Sequence, residues 1–147
     1  MHFEILLGVA LMVATTMVHT LCTGLSLRLL RSLRAAHWML ESGLKQALVI
    51  ASVVVTLFLT SIIESAMWAA TYVGLGAIDS FKDALYFSTV TYTTLGFGDI
   101  TLGEDWRLLS AFEAANGTIM FGWSTALVFA FVQHIIKLNY SQNENKD

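Results

Sequence analysis

The sequence predicts an all-α membrane protein with three spanning helices and a re-entrant segment between the last two. Of its 147 residues, 56% are hydrophobic and only 13% are charged, and the mean hydropathy is +0.66. A soluble domain carries about a quarter charged residues, so this balance indicates an integral membrane protein. The re-entrant segment is predicted by a polar, glycine-punctuated stretch, TYTTLGFGDI, lying between long apolar runs.

Three apolar runs are long enough to cross a hydrocarbon core of ~30 Å, which takes about 20 helical residues. They cover approximately residues 3–27, 47–72 and 108–136. The first run resembles a signal peptide in its position, but it carries Glu4 in place of a basic leader and no small-x-small cleavage site follows it. We therefore expect the first run to be a retained helix.

The placement of charge predicts the orientation of the helices. Four of the eight Lys and Arg residues lie between the first and second runs, namely Arg28, Arg31, Arg34 and Lys45. The connection between the second and third runs is net acidic, and short basic loops stay in the cytoplasm. We expect an external N-terminus, a cytoplasmic C-terminus and a place in the plasma (inner) membrane of a prokaryote.

The basic connection, residues 28–45, spaces its arginines every third residue in RLLRSLR. Voltage-sensor helices have this pattern, but they need partner helices to shelter the charges, and the chain has only one extra span. The pattern favours a cytoplasmic interfacial helix whose Arg28, Arg31 and Arg34 contact anionic lipid headgroups. A lipid-gated element and a voltage sensor stay open as alternatives.

The segment before the glycines reads as a short helix. Ser80 and Asp83 match a capping box, and the apolar run that follows predicts about three turns ending at the threonines. Leu95-Gly96-Phe97-Gly98-Asp99 then breaks regular structure. Irregular backbone at membrane depth survives only where protein buries it or where it lines a wet cavity, so we predict a re-entrant loop.

The carbonyls of consecutive residues point in the same direction only if left-handed and right-handed backbone conformations alternate along the chain. Glycine accepts a positive φ at little steric cost, so Gly96 and Gly98 predict that the carbonyls of Thr94, Leu95, Gly96 and Phe97 face one axis. Four copies around a closed axis would stack these oxygens into rings, which replace the water of a dehydrated cation.

TTLGFGD resembles the selectivity filter of potassium channels, usually TVGYG followed by Asp, and the Leu and Phe variants are also found in two-pore-domain channels. ALYFSTVTYTTLGFGD resembles the pore helix with its filter, and WRL and NGTIMFG resemble the inner helix of small bacterial channels. The resemblance covers residues 47–133 and leaves out the first span. It implies a homotetrameric potassium channel whose partners are three further copies, with K+ as permeant ligand, no other cofactor, no catalytic activity and no nucleic acid.

The resemblance also implies roles for individual residues. The filter would be Thr94, Leu95, Gly96, Phe97 and Gly98, with K+ at the first four. Support would come from Asp99, Tyr86, Thr93 and Glu113. The cavity and gate would be formed by Gly117 (a hinge), Thr118, Phe121, Gly122, Thr125, Phe129 (a hydrophobic constriction) and Gln133.

Two positions depart from the family's usual pattern. Tyr86 stands where many channels place a Trp that bonds the Asp beside the filter, and its hydroxyl could still reach Asp99. Val90 stands where some bacterial channels place a Glu behind the filter.

Three polar residues, Glu64, Glu113 and Asn116, interrupt apolar runs, where charges are costly and usually functional or paired. Either glutamate could support the filter in place of the group missing at Val90. Interhelical hydrogen bonds, or a place for Glu113 near the outer interface, are the alternatives. His134 could be a pH switch or a solvated interfacial residue.

The predicted organisation is an N-terminal transmembrane helix (1–27), a basic linker helix (28–45), a pore domain (46–136) and a cytoplasmic tail (137–147), polar and frayed from residue 139. Passive potassium conduction is the favoured function. A non-selective cation channel and a non-conducting accessory subunit are the alternatives. A potassium transporter subunit fits less well, since those chains typically carry several pore loops and this one carries a single loop.

Overall fold

A computed structural model describes residues 2–34 and 42–144 as four helices, and no strand occurs in these ranges. They are α1 (His2–Arg34), α2 (Gly43–Gly74), α3 (Phe81–Tyr92) and α4 (Arg107–Glu144). Helices α1, α2 and α4 are long and apolar enough to span a membrane, whereas the 12 residues of α3 are too few. The predicted fold class is confirmed in its all-helical architecture and its three candidate spans.

Two helices run further than the sequence predicts. Helix α1 continues without a break from the first span through the start of the predicted linker to Arg34, while residues 35–41 lie outside the described part of the chain. Helix α4 continues to Glu144, so the frayed tail is a wrong prediction for residues 139–144. The chain has no proline and no glycine after Gly122, so the two residue types that most strongly end a helix are absent from this stretch.

The ends of α2 and α3 follow from local hydrogen bonding. Ser80 caps α3, and its hydroxyl accepts from the Asp83 N–H at 3.2 Å, as the capping-box pattern predicts. At the end of α2, the N–H of Gly76 donates to Val73 and that of Ala77 donates to Tyr72. This Schellman arrangement places Gly76 at a φ of 65° and turns the chain towards α3.

Helix α3 packs between α2 and α4, and its apolar side chains form the core of the fold. The buried residues of this core come from all three helices and from the loop after α3: Trp68, Ala69, Tyr72, Ala84, Phe87, Tyr92, Leu102, Leu109 and Met120. The short helix is therefore held from both sides.

Helix α1 packs against α2 and α4, and its two faces differ in composition. The face towards the protein carries a buried polar stripe at helical spacing, formed by Thr15, His19, Thr23 and Ser26. The opposite face exposes large apolar side chains, which are Leu6, Val9, Val13, Met17, Leu21 and Leu25. Exposed apolar residues suit contact with lipid, and polar residues within a span suit contact with neighbouring helices.

The end of α3 and the middle of α4 meet at Gly117. A Cβ added to Gly117 would lie 1.9 Å from the Tyr92 carbonyl oxygen, so only glycine permits this approach. The structure gives Gly117 a packing role, and α4 is helical through this position; the hinge that the resemblance assigned to Gly117 stays a prediction.

Replacing this glycine should be costly. We expect Gly117→Ala to destabilise the folded protein by about 3 kcal/mol or more, because backbone atoms at both positions must separate. Thermal unfolding of the purified protein in detergent measures the loss.

Gly122→Ala is the matched control, since it lies in the same helix and an added Cβ meets nothing within 4 Å. It should leave stability unchanged or slightly raised, because alanine favours helix by ~1 kcal/mol over glycine. Equal losses in both variants would contradict the packing role of Gly117.

Candidate functional site

Over the five residues 94–98 after α3, left-handed and right-handed backbone conformations alternate. Thr94, Gly96 and Gly98 have φ values of 62°, 54° and 78°, whereas Leu95 and Phe97 are not among the positive-φ residues. A positive φ is expected for Gly96 and Gly98 but is a rare conformation for a β-branched threonine. Alternation at every second residue also requires positive φ at Thr94, which the sequence analysis did not anticipate.

Two peptide groups of this stretch are tied back to α3. The N–H groups of Leu95 and Gly96 both donate to the Val90 carbonyl, at 2.9 and 3.3 Å. In a trans peptide, the carbonyl of the preceding residue points opposite to the N–H, and no cis peptide occurs in the described chain. The carbonyls of Thr94 and Leu95 therefore both point away from α3.

The threonines fix the start of the stretch. The Thr94 N–H donates to the Thr91 carbonyl at 2.9 Å, and the Thr93 hydroxyl donates to the Thr89 carbonyl at 2.7 Å. The Thr91 carbonyl is one that the last turn of a helix otherwise leaves unpaired, and the Thr89 carbonyl accepts from both the N–H and the hydroxyl of Thr93. Thr93 thus lies at the base of the stretch, as expected for a supporting residue.

The outer end is held by a side-chain pair. The Tyr86 hydroxyl donates to Asp99 Oδ2 at 2.7 Å, so the contact expected between them is present. This hydrogen bond raises the pKa of the Tyr86 hydroxyl, which keeps it a neutral donor. The Ile100 N–H donates to the other oxygen, Asp99 Oδ1, at 3.1 Å, and the carboxylate is thereby oriented.

Glu113 joins three helices behind this stretch. Its carboxylate accepts from the Tyr72 hydroxyl of α2 at 2.7 Å and from the Ser88 hydroxyl of α3, and the side chain is fully buried. Glu113 is therefore enclosed by protein rather than exposed at the surface of the chain. Its interhelical bonds reach the short helix directly, which is the arrangement expected of a supporting group.

Glu64 forms a second junction of this kind. Its Oε2 accepts from the Tyr92 hydroxyl at 2.5 Å, and its Oε1 lies 3.0 Å from Nδ1 of His19 on α1. The side chains of His19 and Glu64 are both almost completely buried. With Val90 providing no carboxyl group, Glu64 and Glu113 supply two carboxyl groups around the last turns of α3.

Asn116 makes a polar contact between α4 and α1. Its Nδ2 donates to Thr15 Oγ1 at 2.7 Å, and this is an interhelical hydrogen bond of the kind that the sequence analysis kept as an alternative.

The residues assigned to the cavity lie along α4. Gly117 is buried, whereas the other six are exposed in one chain: Thr118, Phe121, Gly122, Thr125, Phe129 and Gln133. Their positions place them on one side of α4, where they form an open face. Of the lipid-contact candidates, Arg28 is exposed, and the side chains of Arg31 and Arg34 lie outside the described part.

Several contacting residues were missed from the sequence. These are Tyr72, Ser88, Tyr92, Ser124, Thr15 and His19, all of which bond to another helix. A signal existed for α1, since a polar residue at every third or fourth position within a span marks the face that contacts protein. A buried carboxyl group likewise requires a partner, but the sequence does not say which one.

The stretch 94–99 is exposed in a single chain, including 61% of Leu95 and 64% of Phe97. Such irregular backbone cannot face lipid, because no water is present there to bond its polar groups. In the membrane, this exposed stretch must therefore be covered by further protein or line a wet cavity.

Comparison with known proteins agrees with this geometry. Neither the search of curated proteins nor the search of solved structures gave a significant match. A family model described as "Ion channel" matches residues 47–134, which is more than half of the chain and includes α3, the stretch 94–98 and most of α2 and α4. The chain belongs to this family of ion channels.

Proposed function

We propose that this ion channel is a potassium-selective homotetramer whose filter is residues 94–98. The observation that supports it most directly is the direction of the peptide groups. The Thr94 and Leu95 carbonyls point away from α3 while their N–H neighbours are satisfied by Val90. The oxygens are thus left free for a ligand.

Backbone carbonyl rings suit a dehydrated monovalent cation, since they replace its hydration shell with neutral oxygens. The stretch 94–98 contains no charged side chain, so its ligands are carbonyls and the Thr94 hydroxyl. Helix α3 ends at the base of the filter, and its partial negative end favours a cation in the cavity below.

The proposal of a tetramer is supported by the fact that one chain supplies only one side of the site. One chain contributes one wall of carbonyls, and closed symmetry is the usual way for identical chains to supply the others. The exposed filter side chains and the open face of α4 are the surfaces that three further copies would cover. The charge distribution supports an orientation in which Asp99 faces the outside and the C-terminal end of α4 faces the cytoplasm.

Ion flux into liposomes tests the proposal. Purified protein should carry K+ with strong preference over competing Na+, and Ba2+ should block the flux. Equal flux of both ions would replace the proposal by a non-selective cation channel. The absence of flux at acid and neutral pH and with anionic lipid would favour an accessory subunit.

Gly98→Ala should abolish selective K+ conduction. The added Cβ opposes a φ of 78°, at a cost of about 1–2 kcal/mol per chain, and the cost is paid in all four chains. The K+/Na+ flux ratio of the variant in liposomes measures the effect.

Two other glycines control for general damage. Gly76→Ala has the same strain outside the filter, with a φ of 65°, and Gly103→Ala lies near the filter without a positive φ. Both should keep the K+ preference of the unaltered protein. A Gly98→Ala channel with unchanged selective K+ flux would contradict the assignment of the filter.

Tyr86→Phe should weaken the K+ preference modestly, because it removes the hydrogen bond that orients Asp99, and such a bond in an exposed position contributes less than a buried one. The ratio of K+ to Na+ flux is the measurement. Asp99→Asn keeps an acceptor for Tyr86 but removes the charge, so it should retain more of the preference. The reverse order would show that charge at Asp99, and not its hydrogen bond, matters.

A further inference from the structure

A continuous set of side-chain contacts links the N-terminal helix to the base of the filter. It begins at His19 of α1, passes through Glu64 of α2 and ends at Tyr92, the last residue of α3. All three side chains are at most 1% exposed. His19 lies outside the residues that the ion-channel family model matches, so this contact is an addition to the pore domain.

One arrangement of protons satisfies every atom of the set. The carboxylate of Glu64 accepts from the Tyr92 hydroxyl and from Nδ1–H of His19. A neutral imidazole that donates at Nδ1 accepts at Nε2, and the Ser124 hydroxyl of α4 lies 3.3 Å from that nitrogen. His19 thereby bonds α2 and α4 at once, and its ring also meets Trp123 edge to face at 6.0 Å.

Tyr92 is placed where a small displacement reaches the filter. It lies two residues before Thr94 and two after Val90, whose carbonyl holds the N–H groups of Leu95 and Gly96. Its ring packs edge to face on Phe121 at 5.8 Å. A rotation of the last turn of α3 would carry the Val90 carbonyl with it and so redirect the filter carbonyls.

We propose that His19 is a positioning residue of the filter. Through Glu64 it fixes the Tyr92 hydroxyl, and the N-terminal helix thereby sets how well the filter distinguishes K+ from Na+. This inference rests on the proposed function.

The competing explanation is that α1 only docks on the pore domain. The chain contains a natural control for it, because Thr15 of α1 also makes a buried hydrogen bond, to Asn116 of α4. Within the described part of the chain, Asn116 makes no hydrogen bond to α3, whereas the contact of His19 continues through Glu64 to Tyr92. Loss of either bond weakens the docking of α1, but only loss of the His19–Glu64 bond should alter the filter.

The experiment uses the full chain reconstituted in liposomes, with the K+/Na+ flux ratio as the readout. Oligomeric state and thermal stability are measured in parallel on the same preparations. His19→Phe keeps the ring against Trp123 and removes both nitrogens, and His19→Gln keeps a donor and an acceptor. Thr15→Val is the docking control, and Tyr92→Phe removes the last hydroxyl of the set.

We expect His19→Phe to lower the flux ratio by about tenfold, the effect of removing one hydrogen bond to a buried carboxylate. His19→Gln and Thr15→Val should stay near the unaltered value. Tyr92→Phe should match His19→Phe, and combining the two should lower the ratio no further, because residues that act through one another are not additive.

Three results would overturn the inference: an unchanged ratio in assembled His19→Phe channels, an equal loss in Thr15→Val, or additive losses in the double variant. If His19→Phe does not assemble, Tyr92→Phe alone tests the inference. An unchanged K+/Na+ flux ratio in Tyr92→Phe would then overturn it. Failure of the proposed function is seen separately, as a lack of K+ preference in the unaltered protein.

Discussion

The close contact of Tyr92, at the end of α3, with the two helices α2 and α4 is the constraint on which the rest of the structure depends. Its carbonyl lies against Gly117 of α4, its ring lies against Phe121, and its hydroxyl bonds Glu64 of α2. These contacts fix the end of α3 in position and rotation. Because the Val90 carbonyl belongs to that same last turn and accepts from the N–H groups of Leu95 and Gly96, the direction of the carbonyls of Thr94 and Leu95 follows from the placement of Tyr92.

Polar side chains make these connections for a reason specific to membranes. Lipid is as apolar as leucine, so burying apolar surface does little to bring helices together, and close packing and hydrogen bonds take its place. Two buried glutamates gather the helices here: Glu113 joins α2, α3 and α4, and Glu64 joins α1, α2 and α3. Removing one partner of such a contact leaves a buried polar group without its hydrogen bond, which is costly.

Much of this arrangement could be predicted from the sequence, and the remainder could not, for physical reasons. Apolar length gave the three spans, the Ser80–Asp83 pattern gave the start of α3, and the spacing of Gly96 and Gly98 gave the alternating backbone. The partner of Glu64 could not be predicted, because a buried carboxyl group requires a donor without specifying which helix supplies it. The packing role of Gly117 could not be predicted either, because a glycine at a helix crossing and a glycine at a hinge look alike in sequence. The positive φ of Thr94 was predictable in principle, because alternation at Gly96 and Gly98 extends to it.

The central claim is that carbonyls, held in direction by α3, bind K+ in a row along an axis shared by four chains. Anomalous diffraction from crystals grown with Rb+, which stands in for K+, tests this most directly. The account predicts peaks in line on a four-fold axis, level with the carbonyls of Thr94, Leu95, Gly96 and Phe97. Peaks bound by side chains elsewhere, or an axis through these carbonyls without any peak, would contradict it.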